Sequence, residues 1–158
     1  MMGGLLGAVR PGAWEFPLFL HVLGAMLLVG ALVTVLSALV LSWRREGADA
    51  ALLTRFAFRS LLLAVLPSFV LMRVAAQWTF SREFGEAANP DWVDIGYLTA
   101  DLGVPVLVLA AILAGLAMRG TRRGDTLGLT GRVATVIVAL LVAAYLVAMW
   151  AMTTKPGA

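Results

Sequence analysis

The chain has no cysteine among its 158 residues. Disulfides, iron–sulfur clusters and thiolate metal sites are thereby excluded. It has one histidine, His21, and one lysine, Lys155. A centre built from two imidazoles cannot come from a single copy. Charge is scarce as well: 13% of residues are charged, against roughly a quarter in a soluble domain. Serine–histidine–acid order, metal-protease motifs and nucleotide loops are missing, so no enzymatic activity is expected.

Apolar sequence is what the chain has in quantity. Hydrophobic residues make up 61%, and the mean hydropathy is +0.95. Too little polar sequence remains to cover a water-facing surface, so residues 1–158 read as a single integral membrane domain. The expected fold is all-α, an antiparallel bundle of four transmembrane helices. The spans are placed at about 16–41, 60–80, 95–118 and 133–152, each near the roughly 20 residues needed to cross a bilayer. The opening MMGGLLGAVRPGAWE lacks the charge order of a signal peptide and is expected to be a short lead-in. Helical pattern in the second segment is expected from near Asp49. Pro17 suits a first helical turn. Pro67 and Pro105 lie inside spans, where each should bend its helix and free a carbonyl one turn earlier.

The net charge of +3 comes from twelve basic residues, eleven of them arginine, against nine acids. A basic balance can signal nucleic acid. Here the arginines sit between apolar segments, where topology explains them and no nucleic acid is expected. Arg44, Arg45, Arg55 and Arg59 follow the first span; Arg119, Arg122, Arg123 and Arg132 follow the third. The middle loop carries Glu83, Glu86, Asp91 and Asp94 with a single arginine. The positive-inside rule then gives an N-out/C-out protein of the inner (cell) membrane. Trp14, Trp78, Trp92 and Trp150 fall near the outer interface and Trp43 near the inner one, as an aromatic belt. Gly24 with Leu28 and Ala31, Ala111 with Gly115, and Ala139 with Ala143 offer faces for close helix contact in lipid.

Polar residues inside the spans collect in the outer half: His21, Arg73, Gln77, Tyr97, Asp101 and Tyr145. The inner half keeps Thr34, Ser37 and Thr135. Counting about 1.5 Å per residue puts Arg73 some 13 Å and Asp101 some 10 Å below the outer edge. Matching depth predicts an Arg73–Asp101 ion pair turned toward the bundle or a cavity, because a charge at the centre of a span costs about 2.5–3.5 kcal/mol on insertion scales. The pair can equally be a structural clasp. His21 can be a ligand or simply a bond to a neighbouring helix, and Tyr97 and Tyr145 can be belt aromatics. Met149 and Met152 can fill gaps instead of binding metal.

The opening of the first span, PLFLHVLGAMLLVGALV, resembles a pattern in small bacterial membrane proteins related to the copper-resistance protein D family, and the short-looped plan is similar to a family of small predicted membrane proteins. The likeness covers about 17 residues and reaches His21, Gly24 and Gly30. It implies a bundle that handles haem, copper or a redox partner, with His21 as the metal ligand. The chain departs from a bis-histidine haem site in lacking a second histidine; a methionine, a water or His21 of another copy would have to complete it. Three functions stay open: a polar pocket for a ligand or cofactor (haem or copper), a proton-coupled transporter working as a homo-oligomer, and an accessory subunit of a larger membrane complex. The bilayer is the partner common to all three.

Overall fold

Four helical rods form because the apolar runs are long and the breaks between them are rich in glycine and charge. The computed structural model describes residues 15–83, 91–122 and 127–154, with the side chains of 82, 83 and 91–93 left aside. Helix α1 is Glu15–Ser42, α2 Gly47–Ser60, α3 Leu66–Glu83, α4 Asp91–Thr121 and α5 Leu129–Thr154. A π-helical turn, Leu61–Val65, joins α2 to α3 in one rod. No strand occurs among the described residues. Among the described residues four helices are long and apolar enough to cross a membrane.

The second rod begins at Gly47, within two residues of the helix start expected near Asp49, and the apolar candidate span extends from there over 35 residues to Ser81, longer than the expected 60–80. Gly47 makes this sharp entry possible with a φ of 61°, a left-handed value costly for any residue with a Cβ. The corner is tight: Trp43 N donates to Leu39 O and Val40 O, and Arg44 N to Leu41 O. Fully buried Ser42 and Thr54 then fasten α1 to α2, their hydroxyls 3.0 Å apart. Thr54 donates to Ala50 O at 2.7 Å, so its oxygen is left to accept from Ser42.

The π turn lies directly before Pro67. Proline has no N–H for the carbonyl of Leu63, and its ring crowds that carbonyl. A wider turn relieves both problems: the N–H of Leu66 reaches five residues back to Leu61 O. Pro105 is absorbed differently, inside an uninterrupted α4. It cannot donate to the carbonyl of Asp101, one turn earlier.

Helix α1 is the hub, packed on α2, α3 and α5, while α4 packs on α5 and α2. Helices α3 and α4 scarcely approach each other as backbones. The second and third rods are therefore close together at the end holding Arg44, Arg45, Arg119 and Arg132, and splayed from each other at the other end. The dense core lies toward the arginine end: Leu32, Val35, Leu39, Leu61 and Val65 are all essentially inaccessible. Gly24 sits where α1 meets α3; a Cβ there would lie 2.7 Å from the backbone nitrogen of Met72. Gly115 lies beside the ring of Phe58, and Ala111 is buried. Ala139 and Ala143, expected to form a packing face, are instead exposed. The outside carries large apolar side chains such as Leu63, Leu129 and Leu140, a surface suited to lipid and not to water. Trp43, Trp78 and Trp150 are also exposed. Trp14, the Trp92 side chain, Glu86 and Arg123 lie outside the described residues.

Candidate functional site

Contact between α1 and α3 starts from one small residue. Because Gly24 has no side chain, the backbone of α3 at Met72 lies directly against α1. That approach brings the Met72 carbonyl within 3.1 Å of His21 Nδ1, one turn before Gly24. A carbonyl only accepts, so Nδ1 carries the proton. In the neutral ring Nε2 then holds the lone pair, and it makes no hydrogen bond among the described residues.

On the other flank, side chains bridge the gap between α3 and α4. Arg73 Nη2 donates to Asp101 Oδ1 at 3.1 Å. Arg73 Nη1 reaches Gln77 Oε1 at 3.4 Å, and the Tyr97 hydroxyl donates to the same oxygen at 3.1 Å. The guanidinium stands 4.7 Å from the centroid of the Tyr97 ring, whose edge meets Phe80. Spacing explains the set: Arg73 and Gln77 are four apart on α3, Tyr97 and Asp101 four apart on α4, so each helix presents two groups in line.

The expected ion pair exists, but its setting corrects the expectation. The Asp101 side chain is 64% exposed and that of Arg73 29%. The pair straps the gap between α3 and α4, with Arg73 also lining the cavity behind it and Asp101 turned outward. Gln77 and Asp101 consequently do not line the cavity behind it.

That cavity, about 370 Å³, lies between α1, α3, α4 and α5. His21, Arg73, Tyr97 and Tyr145 line it, along with Met72, Met149 and Met152. Most of its wall is apolar. Tyr145 is 5% exposed, and its hydroxyl has no hydrogen-bond partner among the described residues. The ring ends over Gly103 of α4, where a Cβ would run into the hydroxyl. An unpaired buried hydroxyl costs about 1–3 kcal/mol, and this one is sealed against Gly103 and out of reach of the cavity.

Sequence reasoning missed several residues. Gly96 and Gly103 give the room taken by Met152 and Tyr145; glycines seven apart, two turns along one helix face, were the available signal. Ser42 and Thr54 were missed too, being ordinary small polar residues until the corner brings them together. Thr34, Ser37 and Thr135 bond carbonyls of their own helices, which leaves them no wider role.

Among the described residues no group of three or more His, Cys, Asp or Glu side chains could hold a metal ion. The nitrogen donor set is His21 alone, with thioethers in the same cavity wall. Comparison with family models, curated proteins and solved structures gives no match.

Proposed function

We propose that this is a multi-pass protein of the inner membrane, N-out and C-out, that binds a small, largely apolar ligand in the outer half of its bundle. It acts as a binding protein and not as an enzyme. One observation carries the reading: a largely apolar cavity between four helices whose wall holds His21, with Nε2 in no hydrogen bond among the described residues. A volume of about 370 Å³ falls within the roughly 300–1,000 Å³ of small-molecule sites, which combine apolar walls with a few polar groups. The arginines at the closed end favour the orientation by the positive-inside rule.

The test is extraction of the protein from its own membrane, followed by mass spectrometry of whatever organic molecule leaves with it. A stoichiometric small molecule is expected from the unaltered protein and a much reduced amount from His21→Phe. Equal amounts from both would sink the reading.

The hydrogen bond at His21 favours a second reading. Metal-binding histidines usually donate their other ring N–H to a carbonyl or carboxylate, and His21 does so to Met72. Haem iron or copper would find Nε2 as its nitrogen ligand, with a thioether of Met72, Met149 or Met152 as the nearby soft donor. Such a group would supply one-electron chemistry. A Soret band or stoichiometric copper in freshly extracted protein, lost in His21→Ala, would decide for it.

A further inference from the structure

A second hollow, separate from the cavity at His21, lies on the outside of the bundle toward the arginine end. It is a groove of about 480 Å³ between the second rod and α4. The two rods touch where Phe58 meets Gly115; a Cβ on that glycine would lie 3.0 Å from the Phe58 ring. Beyond this crossing the second rod passes through its π turn, and α3 scarcely approaches α4. The groove is the space opened by that divergence. Leu62 and Leu66 wall it on one side, Val108, Ile112 and Leu116 on the other. Leu62, Val108, Ile112 and Leu116 are also exposed, so the groove is open to whatever surrounds the bundle.

The apolar stripe ends in a cation on each helix. On α4 the wall runs through Val108, Ile112 and Leu116 to Arg119, a spacing that keeps to one helix face. On the second rod Arg55 precedes Phe58 by three residues and so shares the face of Phe58 and Leu62. Counted at 1.5 Å per residue from the Phe58–Gly115 crossing, Arg55 lies about 4.5 Å and Arg119 about 6 Å toward the arginine end. The two arginines therefore stand at one level. Both are exposed, and neither has an ion-pair or hydrogen-bond partner for its side chain among the described residues. Glu46 and Asp49, the acids described at this end, pair with neither. From Val108 to Arg119 the same count gives about 16 Å, close to the roughly 15 Å that one leaflet contributes to a hydrocarbon core of about 30 Å.

An acyl chain fits an apolar groove that is one leaflet deep and open sideways. Two unpaired guanidinium groups at its end suit a phosphate, which arginine meets with parallel N–H donors. Arg59 and Arg122, one turn away on the same two helices, are exposed as well. A choline or ethanolamine cation would stand among these like charges, which favours a headgroup of net negative charge.

We infer that this groove holds one anionic phospholipid from the leaflet at the arginine end, with its phosphate between Arg55 and Arg119 and one acyl chain along Leu62, Val108 and Ile112. The site goes beyond the cavity at His21 and does not depend on a ligand there.

The experiment titrates the full chain in a mild detergent with dioleoylphosphatidylglycerol, dioleoylphosphatidylcholine and glycerol phosphate, and counts bound molecules by native mass spectrometry. One phosphatidylglycerol per chain is expected, held about tenfold more tightly than phosphatidylcholine. Glycerol phosphate, which has no chain, should not compete. Arg55→Gln combined with Arg119→Gln should remove most of the preference and leave phosphatidylcholine binding unchanged. Arg44→Gln combined with Arg45→Gln takes the same charge from the same end, away from the groove wall, and should keep the preference. Ile112→Trp, a change at an exposed position, should fill the groove and weaken phosphatidylglycerol to a similar degree. Equal affinity for the two lipids overturns the inference, as does an unchanged affinity in Ile112→Trp. Equal losses in the two double variants would mean diffuse charge and no site. Competition by glycerol phosphate would mean a headgroup site without the groove, and a dimer that Ile112→Trp splits would mean that a second copy fills it; either result also overturns the inference.

Discussion

The two ends of the bundle are made from similar apolar sequence and behave differently. At the arginine end α2 touches both α1 and α4, and Leu32, Val35, Leu39 and Leu61 have no accessible surface worth the name. At the other end α3 keeps only α1 as a close backbone neighbour, and a cavity of about 370 Å³ remains. One rod supplies both situations. Its π turn and Pro67 fall between the part that packs on two neighbours and the part that packs on one. Hydrophobicity decides that helices enter lipid, but it does not decide how tightly they pack there, because lipid tails are as apolar as leucine. Packing is set by local backbone geometry and by the few small residues at the crossings.

The largest expected effect sharpens that contrast. Leu32→Ala at the closed end should cost about 2–4 kcal/mol, as truncation of a packed core does, whereas Met149→Ala at the cavity should cost less than about 1 kcal/mol. Unfolding of the purified protein in a mild detergent, followed by circular dichroism, measures both; equal losses would mean the ends are packed alike.

Gly24→Val tests the crossing that forms one wall of the cavity. A Cβ at this position meets the backbone of Met72, which cannot step aside as a flexible side chain would. A loss of about 2–3 kcal/mol is expected, together with loss of the His21–Met72 hydrogen bond, visible in the histidine ring signals by nitrogen NMR. A variant of normal stability with that bond intact would show that the helices are not in such close contact.

Asp101→Ala should cost about 2 kcal/mol by leaving the Arg73 guanidinium uncompensated in or near lipid. Changing Arg73 and Asp101 together to leucine should cost less, because nothing is then stranded. The comparison uses protease resistance in nanodiscs. If the single change is harmless, the strap across α3 and α4 is a surface contact of little energy.

Tyr145→Phe is the smallest expected change and runs the other way. Removing an unpaired hydroxyl should leave the ligand-free protein as stable as before, or more stable by up to about 1 kcal/mol. A marked loss of stability would mean that the hydroxyl already has a partner in the protein.

Much of the architecture was legible because it follows from composition and spacing. Four apolar runs, each long enough to cross about 30 Å, separated by arginine or acid, leave few alternatives to a short-looped helical bundle. The partnership of Arg73 with Asp101 was legible for the same reason, since helical rise fixes their depth. The start of the second rod was legible to within two residues, near Asp49 against Gly47; the π turn before Pro67 was not, because a proline in a span predicts only a bend and a freed carbonyl.

Facing direction is where sequence stopped and tertiary structure decided. Depth along a helix is counted from residues, but rotation about its axis depends on which neighbour it meets. Only the close approach at Gly24 assigns the His21 N–H to Met72 and leaves Nε2 open. Only the splay of α3 from α4 puts Asp101 on the outside. Only bare Gly103 beneath the Tyr145 ring leaves that hydroxyl buried and unmatched. The sequence by itself determined four lipid-compatible helices and the end at which their polar groups gather; the packing of backbone on backbone determined which of those groups share a cavity.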